Sequence, residues 1–195
     1  MGSMHISPQL LMRLERPGSV TGKLLLLALA YYVSARFGLA IPYKSAYITL
    51  VWLPAGIALA GLLRWGLRYW PAVYVGVFVA EISVGFPWYV CVSLGVTSTL
   101  GPLLAAWLLQ RVQFSATFEH QRDTWLFVGF AALGMLVTSV GGVGNLYLYG
   151  IMPVGAVAHS WLTWWMGDWT GALLAGPLLI TITQNEFNKL WTMRR

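Results

Sequence analysis

Asp168 is the residue of this sequence that most clearly calls for a chemical explanation. It lies in the stretch Trp161-Leu-Thr-Trp-Trp-Met-Gly-Asp-Trp-Thr-Gly171, which holds four tryptophans and no other charge. No Lys or Arg occurs between Asn145 and Gln184. An ionised carboxylate at the centre of a membrane-spanning helix costs about 2.5–3.5 kcal/mol on insertion scales. A proton, a hydrogen-bonding neighbour or a bound ligand must therefore offset the free-energy cost of burying the Asp168 carboxylate.

The surroundings of Asp168 favour a ligand, with other readings left open. Trp164, Trp165 and Trp169 are predicted to share much of one helical face with the acid. Indole rings and a carboxylate both attract positive charge, so this face could hold an amine or another cation. Alternatively, the tryptophans form an interfacial aromatic belt, which explains Trp161 better than the three beside the acid. The carboxyl could also be protonated or bonded to hydroxyls of the fourth apolar segment, namely Thr97, Ser98 and Thr99.

Three further ionisable residues fall inside apolar segments, where a charge is a candidate functional group. By helical rise, Arg36 and Glu81 lie about 21 Å and about 18 Å above the inner ends of their segments. The similar depths predict an ion pair, which either clamps two helices or contacts a ligand. His159 lies near the outer end of the last segment. A lone histidine can sense pH or ligate haem, but no second haem ligand is recognisable, so no cofactor is predicted.

The segment Trp52-Leu-Pro-Ala-Gly56 is the other special stretch. Pro54 lacks an N–H group and Gly56 tolerates unusual dihedral angles. We therefore expect the second apolar helix to unwind near its outer end, where its backbone groups could contact a ligand. A simple proline kink is the alternative.

The composition identifies an integral membrane protein. The 195 residues are 58% hydrophobic and 9% charged, whereas soluble domains carry about 25% charged residues. The net charge of +6 comes from cations at segment ends, so it does not indicate nucleic-acid binding. The single cysteine, Cys91, cannot form an internal disulfide, and no cysteine-based metal site is predicted. Recognisable catalytic and nucleotide-binding motifs are absent from the sequence, which predicts a non-enzymatic segment.

A transmembrane helix requires about 20 apolar residues, and six segments qualify. The predicted spans are 21–42, 48–64, 69–86, 87–110, 124–146 and 154–183, and the last is long enough to tilt or break near Gly167. We expect residues 1–19 to be a tag remnant and lead-in, 20–184 the membrane domain, and 185–195 the start of a cytoplasmic linker. The fold class is thus an all-α polytopic bundle of about six transmembrane helices, some of them broken.

The positions of Lys and Arg predict the orientation. With the N-terminus in the cytoplasm, ten cations fall on the inner side and Lys44 alone on the outer side. The inner ten are Arg13, Arg16, Lys23, Arg64, Arg68, Arg111, Arg122, Lys189, Arg194 and Arg195. Such a bias predicts that both termini are cytoplasmic. The predicted outer loops near 85–88 and 145–153 are short and uncharged, so a ligand would be met within the membrane or at its outer surface.

Three motifs resemble one known family. They are Trp52-Leu-Pro-Ala-Gly-Ile-Ala-Leu-Ala-Gly-Leu-Leu63, Gly66-Leu-Arg-Tyr-Trp-Pro71 followed by Gly76, and Trp164-Trp-Met-Gly-Asp-Trp-Thr-Gly171 followed by Pro177-Leu-Leu179. In this order and spacing, over about 22–182, the chain resembles the membrane-associated sensor domains that form the first of the MASE group. Glu81 departs from the resemblance, which implies asparagine there.

The resemblance implies a sensory input module of the bacterial inner membrane. Such domains precede histidine kinases of two-component systems, or the enzymes that make and degrade cyclic-di-GMP. We also expect the full-length protein to be a homodimer. We therefore expect a small-molecule or membrane-protein ligand between spans two, three and six, amid membrane lipids, with a cytoplasmic output domain as partner. The predicted ligand-binding residues are Asp168, Trp164, Trp165, Trp169, His159, Trp52, Pro54, Gly56, Arg36 and Glu81. The rival interpretations are a small-molecule transporter, a substrate-capture subunit or an oligomerising anchor.

Overall fold

The computed structural model describes the backbone of residues 17–40 and 50–192, and the side chains of 20–40 and 50–182. This part of the chain forms six α-helices and one short 3₁₀ turn at Leu67–Tyr69. The helices are α1 Pro17–Ala40, α2 Leu53–Trp65, α3 Trp70–Val84, α4 Trp88–Arg111, α5 Gln121–Leu148 and α6 Val154–Thr192. The all-α prediction is therefore confirmed, and the six helices follow the order of the six predicted segments.

Glycine and proline set the tight turns on either side of α3. Gly66, with φ of 102°, ends α2, and Gly85, with φ of 100°, ends α3. Positive φ angles of this kind are accessible to glycine without steric cost. Pro71 lies in the first turn of α3, where the missing N–H group leaves no bond unmade. The short turns place α2, α3 and α4 as consecutive neighbours.

Helix α2 is the most enclosed element of the bundle. It packs chiefly against α6 and also contacts α1 and α4, while α1, α3, α4, α5 and α6 contact one another in sequence around it. Eight of its 13 residues are buried. A helix shielded from lipid in this way does not need the length of a full membrane crossing.

Many large apolar side chains are exposed on the surface of the bundle, as expected for helices that face lipid. Large side chains such as Leu25, Leu29 and Leu148 are exposed, whereas Leu59, Leu62 and Val73 form the core. Three helices in the described ranges are long and apolar enough to cross a membrane: Val20–Ala40, Trp88–Arg111 and Gln121–Leu148. The structure thus agrees with a membrane domain and supports three spans by length and composition.

Several cations gather at one end of the bundle. Lys23 and Arg68 both lie over the ring of Tyr69, at 5.9 and 5.2 Å from its centroid. Arg122, at the start of α5, donates a hydrogen bond to the Val112 carbonyl just after α4. The start of α1, the turn before α3 and the α4–α5 loop therefore carry positive charge at the same end. Lys44 and residues 1–16 lie outside the described residues.

The irregular backbone expected at Pro54 and Gly56 lies just before α2, and the break suggested near Gly167 is not found. Pro54 lies in the first turn of α2, so it begins that helix, and the non-helical backbone ends at Trp52. Helix α6 is continuous through Gly167 and Pro177 up to Thr192, and α4 is continuous through Pro102. Proline inside a membrane helix is tolerated when neighbouring groups satisfy the freed carbonyl. In α6, Pro177 leaves the carbonyl of Leu173 without its helical partner, and the helix nevertheless continues without a break.

Candidate functional site

The two motifs that flank the site are joined through their backbones. The amide of Trp52 donates a hydrogen bond of 2.9 Å to the carbonyl of Gly167 in α6. A Cβ atom added to Gly171 would collide with the Trp52 carbonyl, and one added to Gly56 would collide with the Gly171 carbonyl. Because α2 begins only at Leu53, the Trp52 amide is available for this bond across the helices. The glycines therefore allow the start of α2 to dock directly on α6.

A small, partly open cavity lies beside this junction. Its polar and aromatic lining consists of Tyr31, Trp52, Glu81, Ser98, Trp164 and Asp168, and its apolar lining of Leu39, Val84, Phe86, Leu94 and Leu146. The cavity volume is about 30 Å³, enough for about two water-sized groups. Leu39, Val84 and Leu146 are near the ends of α1, α3 and α5 that lie opposite the cationic end of the bundle. Residues from all six helices or their flanks thus converge on one polar chamber.

Asp168 is the most unusual group in that chamber. The residue is 1% exposed, and neither carboxyl oxygen has a hydrogen-bond partner. The suggested bonds from α4 are not formed: Thr99 donates to the Gly95 carbonyl, and Thr97 donates to carbonyls of its own helix. Ser98 lines the same cavity without bonding to the acid. A buried carboxyl without partners is energetically costly, so a proton or an occupant must satisfy it.

Glu81 is the second acid of the cavity lining. The predicted ion pair with Arg36 is absent from the described part of the chain. Arg36 is exposed instead, and its Nη1 donates to the Ser83 hydroxyl at 3.3 Å, toward the end of α3. Arg36 and Glu81 were predicted at similar depth in the membrane, but their side chains do not point toward each other. In the described ranges, 20–40 and 50–182, the cavity lining contains two carboxyl groups and no cation.

The tryptophans of α6 divide between two sides of the helix. Trp164 lines the cavity. Trp165 and Trp169 turn toward α5, where their Nε1 atoms donate to the carbonyls of Ala132 and Val128 at 2.9 and 3.1 Å. Their rings stack with each other and with Trp161, at centroid distances of 5.8 and 6.1 Å. We call this stack of Trp161, Trp165 and Trp169 the tryptophan ladder, and its hydrogen bonds hold α6 against α5. In the aromatic-belt interpretation the indole N–H groups would bond lipid headgroups, whereas those of Trp165 and Trp169 bond backbone carbonyls.

The remaining predicted residues lie around the cavity or away from it. Trp52 lines it, and the indole Nε1 donates to the Tyr31 hydroxyl at 3.4 Å. Pro54 and Gly56 are buried in α2 and lie outside the lining. His159 is exposed and does not line the cavity. Sequence reasoning missed Tyr31, because an aromatic residue in an apolar run carries no distinguishing signal.

The fold and the site together define a class of protein. The chain is an α-helical membrane domain whose helices surround a small acidic cavity, and its final helix continues without a break to Thr192. The MASE1 family model matches residues 23–195. The chain therefore belongs to the MASE1 family of membrane-associated sensor domains, which are input domains of signalling proteins. The predicted resemblance is confirmed. Neither a curated protein nor a solved structure gave a match to this chain.

Proposed function

We propose that this domain senses a ligand in the Asp168 cavity and relays its presence to a cytoplasmic signalling domain. The observation that supports the proposal most directly is the buried carboxyl of Asp168, which faces a cavity with both oxygens unpaired. An input domain needs a site where an external event changes the interactions of the protein. Among the described residues, this cavity combines a space for an occupant with buried, unsatisfied polar atoms.

The proposed membrane arrangement has six spans, with both termini in the cytoplasm of a bacterium and the domain in its inner membrane. The cations around Tyr69 and the α4–α5 loop would then face the cytoplasm, as the positive-inside rule requires. The ligand chamber would lie in the outer half of the membrane. The short helices α2 and α3 fit this arrangement because neighbouring helices cover much of their surface.

Helix α6 is the proposed route of the signal. It carries Asp168 and continues without a break to Thr192, about 36 Å further along at 1.5 Å per residue. Its contact with α2 through Trp52 and Gly167 couples its position to the wall of the cavity. A ligand that binds two positions of α6 with different affinity would shift the population between them. The output would be a histidine kinase or an enzyme of cyclic-di-GMP turnover, working as a homodimer.

The test uses the full-length protein with its own output domain in native membranes. Asp168→Asn removes the charge while nearly preserving the volume, and we expect it to change the basal or stimulated output at least threefold. Glu119→Gln is the matched control, because Glu119 is exposed in the α4–α5 loop. Membrane levels of each variant are measured by immunoblot. Asp168→Asn protein that is present at normal levels with unchanged output and unchanged response would refute the proposal.

A further inference from the structure

We infer that the occupant of the cavity is a small monovalent cation of ammonium type, held jointly by Glu81 and Asp168. This inference rests on the proposed function, because it names the chemistry of the same site. It is carried by the charge, the hydrogen-bonding capacity and the size of the chamber.

The charge of the lining is one-sided. Glu81 and Asp168 both line the cavity, and among the residues that the structure describes no Lys, Arg or His does. The nearest candidate cation from the sequence, Arg36, is exposed and bonded to Ser83. Two carboxylates in a low-dielectric chamber need positive charge or protons to persist. A bound cation would supply that charge in the place where the described protein groups do not.

The unsatisfied oxygens of Asp168 point to the same kind of occupant. Both oxygens of Asp168 are acceptors without a donor. The indole Nε1 of Trp52 already donates to the Tyr31 hydroxyl. The hydroxyls of Tyr31 and Ser98 and the indole of Trp164 also line the cavity, but neither Asp168 oxygen has a hydrogen-bond partner, so both can accept N–H bonds from an ammonium group. The rings of Tyr31, Trp52 and Trp164 would contribute cation–π attraction to the same charge.

The size of the chamber selects among cations. A volume of about 30 Å³ is far below the roughly 300–1,000 Å³ of ordinary small-molecule sites. Ammonium or methylammonium, with one or two heavy atoms, fits this space. A divalent ion fits poorly by its chemistry, because Ca²⁺ and Mg²⁺ require about six or more oxygen ligands. In the described part of the chain no cluster of three or more His, Cys, Asp or Glu side chains could hold a metal ion.

The experiment titrates the purified chain of 195 residues in lipid nanodiscs. Methylammonium chloride is the probe, tetramethylammonium chloride is the oversized cation of equal charge, and sodium chloride is the metal-ion arm, all at constant ionic strength. Binding is followed by tryptophan fluorescence and by thermal unfolding. We expect a saturable change with methylammonium that tetramethylammonium does not produce. We also expect affinity to rise at least threefold from pH 6 to pH 8, because protons compete for the same carboxyls.

Variants locate the binding. Asp168→Asn and Glu81→Gln should each weaken methylammonium binding at least tenfold, and exposed Glu119→Gln should leave it unchanged. Trp164→Phe should remove most of the fluorescence response, whereas Trp125→Phe should keep it, because Trp125 is 71% exposed. If Asp168→Asn does not fold, Glu81→Gln and the pH dependence still decide the result.

Each outcome has a defined meaning. Equal responses to methylammonium and tetramethylammonium, or unchanged affinity in the folded carboxyl variants, would overturn the inference. Saturation by sodium alone would overturn the ammonium assignment in favour of a metal ion. Absence of methylammonium binding while Asp168→Asn still alters output would refute this inference and leave the proposed sensor function standing. Tight methylammonium binding with normal output from Asp168→Asn would refute the proposed function and leave the cation site standing.

Discussion

The contact between α2 and α6 gives a sharp prediction for Gly171→Ala. The new Cβ atom would meet the carbonyl of Trp52 and the amide of Leu53, which are backbone atoms and cannot rotate away. The start of α2 must shift, and the Trp52–Gly167 hydrogen bond is strained or lost. Overpacking costs about 1–3 kcal/mol, and a lost hydrogen bond about 0.5–1.5 kcal/mol. The better helix propensity of alanine returns about 1 kcal/mol, so the net destabilisation is on the order of 1–3 kcal/mol.

The assay is reversible unfolding in mixed micelles of dodecyl maltoside and SDS, followed by far-ultraviolet circular dichroism. Gly129→Ala is the matched control, because Gly129 lies within helix α5 and a Cβ there would meet no atom within 4 Å. That variant should be as stable as the parent protein or slightly more stable. If Gly171→Ala proves as stable as Gly129→Ala, the backbone docking of α2 on α6 is refuted.

Three further predictions concern residues outside the cavity. Trp165→Phe should destabilise the domain by about 1 kcal/mol in the same assay, because the bond from its Nε1 to the Ala132 carbonyl is lost; no loss would contradict the ladder geometry. Asp123→Ala should cost about 1–2 kcal/mol, because Asp123 is buried and accepts the Ser115 amide at 3.2 Å; increased proteolysis of the α4–α5 loop would report this change. Arg36→Gln should change the free energy of unfolding by less than about 0.5 kcal/mol, because Arg36 is exposed. A larger loss would indicate that Arg36 does form an ion pair with Glu81.

The sequence predicted the helices well because apolar length and turn residues are local signals. Gly66, Pro71 and Gly85 mark real turns. Pro54 was misread because a proline looks the same in sequence whether it interrupts a helix or begins one. Only the tertiary bond between Trp52 and Gly167 reveals where α2 starts.

The arrangement of the site was harder to predict because it depends on direction around each helix. The helical rise predicts how deep a residue lies along its helix, but it does not predict the direction of the side chain. Arg36 and Glu81 were therefore predicted to lie at similar depth, and their side chains nevertheless do not meet. Adjacent residues on a helix differ by about 100° in direction at 3.6 residues per turn, which explains why Trp164 reaches the cavity while Trp165 turns to α5. Trp161, Trp165 and Trp169 are four residues apart, which places their rings next to one another on one face of the helix. Tyr31 lines the cavity only because α1 packs beside it, and no local sequence pattern predicts that packing.

We propose that the Asp168 carboxyl faces a cavity that binds a ligand. A high-resolution cryo-electron microscopy map of the full-length protein in lipid nanodiscs, prepared with methylammonium, tests it most directly. We expect density for a non-protein group within about 3 Å of an Asp168 carboxyl oxygen, next to Glu81 and Trp164. A map in which protein side chains fill the chamber and bond the carboxyl, or in which the carboxyl faces lipid, would contradict it.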